Sequence, residues 1–155
     1  MIDDIGFKLG ISCIMVSHDA PDILSWAGAI LVMKEGELIQ EGTPDQIYHR
    51  PVNEYCAGLF GEYNLFNKAG AALLSSSAIG VPKNKKLFVR PEQLMIHTKG
   101  NGLKGTVQKI LFLGSCYAID VKTASQLVRI KTYSNVFSVG QTVFVSLLQE
   151  TGWYL

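Results

Sequence analysis

The stretch Ile11-Ser12-Cys13-Ile14-Met15-Val16 constrains this chain more than any other, because it is almost wholly apolar. A strand with one wet face alternates in polarity. A strand apolar on both faces belongs in a parallel sheet covered on both sides. The run stops at Ser17-His18-Asp19, and the pattern then turns helical. Asp19 is suited to cap a helix, with Pro21 in its first turn and Asp22 at the third helical position. Ile23, Leu24 and Trp26 are expected to face inward, and the helix should stop around Gly28. Upstream, Ile2, Ile5 and Leu9 fall at helical spacing and predict a short helix running up to Gly10.

Ala29–Met33 reads as a second strand, Glu35-Gly36 as a hairpin turn, and Glu37–Gly42 as a returning strand. Thr43-Pro44-Asp45-Gln46 opens another helix. Thr43 is its cap, Pro44 sits at the first helical position and Gln46 completes a capping box. Pro51 breaks that helix and Asn53–Phe60 continues as a second one. Strand, helix, strand and helices in this order predict part of an α/β sheet. Two or three strands are few for such a sheet, so this part reads as truncated.

Near residue 65 the character changes, and short strands follow one another. The expected strands are Ala71–Leu74, Lys86–Arg90, Leu94–His97, Leu103–Leu113, Tyr117–Val121, Leu127–Lys131, Val143–Leu148 and Trp153–Leu155. In Leu127–Lys131 the alternation places Val128 and Ile130 on one face and Arg129 and Lys131 on the other. Gly114 interrupts an apolar run as a bulge or barrel corner does. Many short strands with glycine-rich turns predict a small barrel of the OB type.

Composition limits the function. Hydrophobic residues make up 48% of the 155 and charged ones 17%, below the ~25% charged that is usual for soluble domains. Some of this apolar surface is therefore expected to meet another partner. A formal net charge of +1 supplies no field to draw in nucleic acid. Cys13, Cys56 and Cys116 lie far apart without a CxxC pair, which fits a reducing compartment better than a disulfide framework or a zinc site. His49 and His97 have no partners at metal-ligand spacing. The apolar stretch Ile23–Met33 is far short of the ~18 residues a membrane helix needs. The N-terminus carries Asp3 and Asp4 where a secretory signal would be positive.

From Val16 to Phe66 the sequence resembles the end of ABC importer ATPase domains. The resemblance begins at the switch loop Val16-Ser17-His18-Asp19 and passes through the hairpin Val32–Leu38. It continues over Gly42-Thr43-Pro44, Ile47-Tyr48 and Pro51 to the exit Gly61…Asn64. The later part resembles the transport-associated OB-like domain called TOBE. It does so at Val89-Arg90-Pro91-Glu92, at Gly105-Thr106-Val107 leading into Phe112-Leu113-Gly114, and along Thr142–Leu148. The implied organisation is an α/β part at 1–65, the C-terminal piece of a P-loop ABC ATPase domain, followed by a small all-β TOBE barrel at 66–155.

The resemblance implies that His18 is the switch histidine, the catalytic and nucleotide-contacting residue that touches the γ-phosphate of ATP bound with magnesium. It implies regulatory or subunit contacts at Arg90 and Glu92. It also implies a homodimeric ATPase subunit working with membrane subunits, cytoplasmic and peripheral at the inner face of the membrane, with neither nucleic acid nor direct membrane insertion. Gly28 and Ala29 depart from the Asp-Arg pair common in the family, and Ala20 and Pro21 replace its usual polar pair. No GxxxxGK[ST] loop, Asp-Glu strand end or LSGGQ stretch occurs in the sequence, so the chain alone is expected to be inactive and to bind ATP weakly.

The alternative reading is a free-standing OB-like module for an oligosaccharide, nucleic acid or oxyanion. Tyr117, Tyr133 and Phe137 would be its stacking candidates, while Lys83, Lys85 and Lys86, a short basic run, read as a solvated loop.

Overall fold

The structure is a computed structural model that describes residues 10, 12–75, 80–134, 136–149 and 152–155. The chain divides into two compact units, Met1–Gly61 and Glu62–Leu155. The expected helix over Ile2–Leu9 lies outside the described residues.

In the first unit, helix α1 (Ala20–Trp26) begins where Asp19 accepts a hydrogen bond from the Asp22 amide at 3.4 Å. Strands β1 (Ile30–Lys34) and β2 (Glu37–Gly42) form an antiparallel hairpin. At its turn Glu35 and Gly36 have φ of 51° and 85°, the positive pair whose twist matches that of the flanking strands. Helix α2 (Pro44–His49) has the expected capping box. The Gln46 amide donates to Thr43 Oγ1 at 3.3 Å, and the Thr43 amide donates to Gln46 Oε1 at 3.0 Å. Helix α3 (Glu54–Leu59) is capped by Asn53, which accepts from the Cys56 amide at 2.9 Å. The break between α2 and α3 is braced by Gln40. Its side chain donates to the Arg50 carbonyl and accepts from the Val52 amide, so it spans Pro51.

Ile30, Val32, Ile47, Cys56 and Phe60 make the core of this unit, with Ile23 and Leu24 packed against it. Trp26 is half-buried. The expected strand at Ile11–Val16 is not formed over its described residues. Ile14 and Val16 are 91% and 96% exposed, and no strand among the described residues lies beside them. Without a neighbouring ladder the amides and carbonyls of an extended segment stay with water.

The second unit holds two sheets. Strands β3 (Asn64–Phe66), β4 (Leu87–Val89) and β10 (Trp153–Tyr154) form an antiparallel sheet in the order β10-β4-β3. Strands β5 (Leu94–His97), β6 (Leu103–Phe112), β7 (Tyr117–Thr123), β8 (Leu127–Thr132) and β9 (Thr142–Leu147) form a five-stranded antiparallel sheet in the order β5-β9-β6-β7-β8. Its two edge strands, β5 and β8, come into contact with each other. The sheet curls toward a barrel around Leu94, Val107, Ile119, Val121, Val128, Ile130, Val143 and Val145. As the alternation requires, Val128 and Ile130 are buried on β8 while Arg129 and Lys131 point outward. An α/β part followed by a small barrel-like β domain is thus the observed architecture.

Two sequence expectations are corrected here. Ala71–Leu74 is helix, not strand. Helix α4 (Lys68–Leu74) starts at Asn67, which accepts from the Gly70 amide at 2.8 Å. The alanine- and leucine-rich run favours helix, and it buries Ala71 and Leu74 at i, i+3. Gly114, with φ of 85°, lies in the turn between β6 and β7, where the Leu113 amide donates to the Cys116 carbonyl at 2.8 Å. The bulge sits earlier in β6, between Val107 and Lys109. Gly105 is required by contact. A Cβ there would meet Val121 and come within 2.8 Å of the Lys122 carbonyl oxygen.

Candidate functional site

His18 is exposed, two residues ahead of α1. The cap on Asp19 orients the turn, since the Asp19 amide also donates to Ser17 Oγ at 3.0 Å. His49 pairs with Asp45 at 3.0 Å, one helical turn away, and His97 Nε2 lies 3.0 Å from Ser146 Oγ. Among the described residues no group of three or more His, Cys, Asp or Glu is arranged to hold a metal ion.

In the second unit, Arg90 precedes a single 3₁₀ turn, Pro91–Gln93. Its backbone amide donates to Gln93 Oε1 at 2.8 Å. Its side chain is 0% exposed. Nη1 donates to the Glu62 carbonyl at 3.1 Å, and the guanidinium lies 4.9 Å from the Phe88 ring centroid. Arg90 therefore reaches into the fold, where a buried guanidinium needs fixed acceptors. Glu92 is half-buried.

The densest polar arrangement in the second unit was not singled out from sequence. Arg129 grips Asp120 with two parallel bonds, Nε to Oδ1 at 2.6 Å and Nη2 to Oδ2 at 2.8 Å. Its Nη1 also donates to Glu62. Asp120 and Arg129 are cross-strand partners on β7 and β8. The hydrogen bond to Asp120, reinforced by the charges of Asp120 and Glu62, pushes the guanidinium above its usual range. Asn64, 5% exposed, donates to the Arg129 carbonyl at 2.8 Å and accepts from the Arg129 amide at 2.9 Å. These residues, with Tyr63 and Leu127, line an open hollow of about 320 Å³. Period-two alternation puts Arg129 on the outer face. Its partners lie on another strand and on a segment 65 residues away, beyond what spacing can reveal.

Of the stacking candidates, Tyr117 and Phe137 lean on the core and Tyr133 is exposed. Lys83, Lys85 and Lys86 are exposed. The Lys86 backbone pairs with that of Leu155, and Lys85 Nζ donates to the Tyr154 carbonyl at 3.4 Å. No helix among the described residues is long and apolar enough to cross a membrane.

Residues 87–155 match the family described as the TOBE domain. Over these residues the second unit is similar to the TOBE domain. The chain is also similar to ATP-binding proteins of importers. It is 36% identical over 123 residues to the Fe(3+) ions import ATP-binding protein FbpC 3 of Rhodococcus jostii (strain RHA1), covering 74% of this chain and 36% of the relative. It is 32% identical over 127 residues to the spermidine/putrescine import ATP-binding protein PotA of Borreliella afzelii (strain PKo), covering 74% and 37%. It is 32% identical over 141 residues to PotA of Onion yellows phytoplasma (strain OY-M), covering 82% and 33%. The chain spans about a third of the length of these relatives, and it is similar to the C-terminal portion of an ABC importer ATP-binding subunit. In the TOBE domain, Arg90 and Gly105 now have physical roles: one anchors the chain leading into the barrel, the other lets β6 and β7 approach.

Proposed function

We propose that this chain is the C-terminal part of the ATP-hydrolysing subunit of an ABC transporter that powers solute import. One observation carries the reading. A match over 82% of the chain is longer than the unit Glu62–Leu155, so the similarity to import ATP-binding proteins runs into the first unit. In this reading residues 1–65 belong to the ATPase domain and residues 66–155 to TOBE. The subunit pairs with a second ATPase subunit and with membrane subunits, and it works at the cytoplasmic face of the membrane.

The sequence holds no GxxxxGK[ST] loop to grip the phosphates. What the chain contributes is the exposed imidazole of His18, given the switch role by the resemblance of Val16-Ser17-His18-Asp19 to the family's switch loop. An imidazole can donate a hydrogen bond to charge that builds on a transferred phosphoryl. The TOBE domain supplies regulation and subunit contact. Because Arg90 is buried, the contact surface near it is formed by other residues of the same turn, Glu92 among them.

The test is a chimera. Residues 16–155 replace the matching part of the Borreliella afzelii PotA protein, and magnesium-dependent ATP hydrolysis is measured. Restored hydrolysis supports the reading. A folded chimera without activity contradicts it.

A further inference from the structure

We propose that the segment Glu62–Phe66, which ends in β3, is clamped to the barrel, and that Asn64 and Arg90 are the positioning residues that hold it. Two independent grips act on neighbouring residues. From one side, the buried guanidinium of Arg90 donates to the Glu62 carbonyl at 3.1 Å. From the other, the Asn64 carboxamide engages both backbone groups of Arg129. Asn64 thus stands where the backbone of a further strand would stand. Strand β8 is an edge of the five-stranded sheet, and at Arg129 the outward-facing amide and carbonyl are matched by a side chain. Pairing of β3 with β4, from Asn64↔Val89 to Phe66↔Leu87, completes the hold.

The clamp also has an outer jaw. The Glu62 carboxylate meets Arg129 where both side chains are partly exposed. Charge pairs of this kind are screened by salt, whereas the buried hydrogen bonds of Asn64 and Arg90 are not. Immediately before the clamp, Gly61 has φ of 119°, a conformation that side chains rarely adopt. Within the second unit, a displacement of β8 or of the Pro91–Gln93 turn is carried to Glu62–Phe66 through these fixed hydrogen bonds. As a route for a regulatory signal this rests on the importer reading; the clamp itself does not.

Hydrogen exchange on the full chain, read residue by residue, tests the clamp without nucleotide. In the unaltered chain the Arg129 amide and the β3 amides exchange as slowly as those of β7. Asn64→Ala raises exchange of the Arg129 amide and of residues 64–66 at least tenfold beyond any rise at Val121 and Ile119. Asn64→Asp keeps the acceptor for the Arg129 amide but turns an anion toward the Arg129 carbonyl, so it regains protection only in part. Glu62→Gln acts weakly, and 0.5 M salt reproduces its effect. Rapid exchange of residues 64–66 in the unaltered chain overturns the proposal. So does an Arg129 amide indifferent to Asn64→Ala. A uniform rise across all strands would reduce Asn64 to a general stabiliser and would also overturn it. The importer reading is judged separately, by hydrolysis in the chimera.

Discussion

Asn64 and Arg129 meet as side chain and backbone: the carboxamide gives one hydrogen bond to the Arg129 carbonyl and takes one from its amide, at 2.8 and 2.9 Å. Asn64→Ala leaves two backbone groups without these partners next to a buried side chain. The expected loss of stability is about 2–4 kcal/mol, measured by urea denaturation of the full chain. A loss below about 0.5 kcal/mol would show that water replaces the carboxamide freely.

Asp120 and Arg129 form a bidentate pair with the carboxylate nearly buried. Removing only the cation by Arg129→Met strands that carboxylate, at a cost of about 3–5 kcal/mol. The double change Asp120→Val with Arg129→Met should recover most of this, since an apolar pair of similar volume avoids the desolvation cost. Glu62→Gln should cost no more than about 1 kcal/mol, because its side chain is half exposed. Denaturation of the single and double variants decides, and equal losses for all three would contradict the account.

Gly105 faces Val121 and the Lys122 carbonyl across the β6–β7 ladder. Gly105→Ala should destabilise the TOBE unit by about 1–3 kcal/mol through overpacking, seen as a lowered thermal midpoint. An unchanged midpoint would mean that the strands part without cost.

Burial pushes the Cys56 thiol above its ordinary value, while Cys13 is exposed. At neutral pH a thiol reagent should label Cys13 at once and Cys56 only on unfolding. With the folded value raised, the stabilising contribution of the neutral thiol is complete at neutral pH. It falls as pH rises through about 9, where the unfolded thiol ionises first. Rapid labelling of two or more thiols in the native chain, with Cys56 among them, would contradict the packing of the first unit.

Ile14, Val16, Leu31, Met33 and Leu38 are all exposed. Met33 and Leu38 are cross-strand neighbours on the hairpin. Exposed apolar surface of this kind favours association, so the 155-residue chain should self-associate with rising concentration in light scattering. Ile14→Asp with Val16→Lys should reduce this. A monodisperse monomer at high concentration would refute it.

Local chemistry was legible in the sequence where it acts within a few residues. The Thr43 capping box, the Glu35-Gly36 turn and the alternation of β8 all follow from neighbours along the chain. The Ala71–Leu74 helix was missed because its start signal, Asn67, lies upstream of the apolar residues that suggested a strand. The Ile11–Val16 strand was expected from polarity alone, which signals burial without providing a ladder partner. The Glu62–Asn64–Asp120–Arg129 network depends on register between segments far apart in the chain. Within the first unit, only the resemblance singled out His18, since an exposed imidazole in a turn has no signature of its own.

The central claim is that His18 is the switch histidine of an import ATPase. Its most direct test is His18→Ala in the active chimera, with kcat and KM for ATP measured separately. The account predicts that kcat falls by about 100-fold or more while KM changes little. Hydrolysis at the unaltered rate would contradict it.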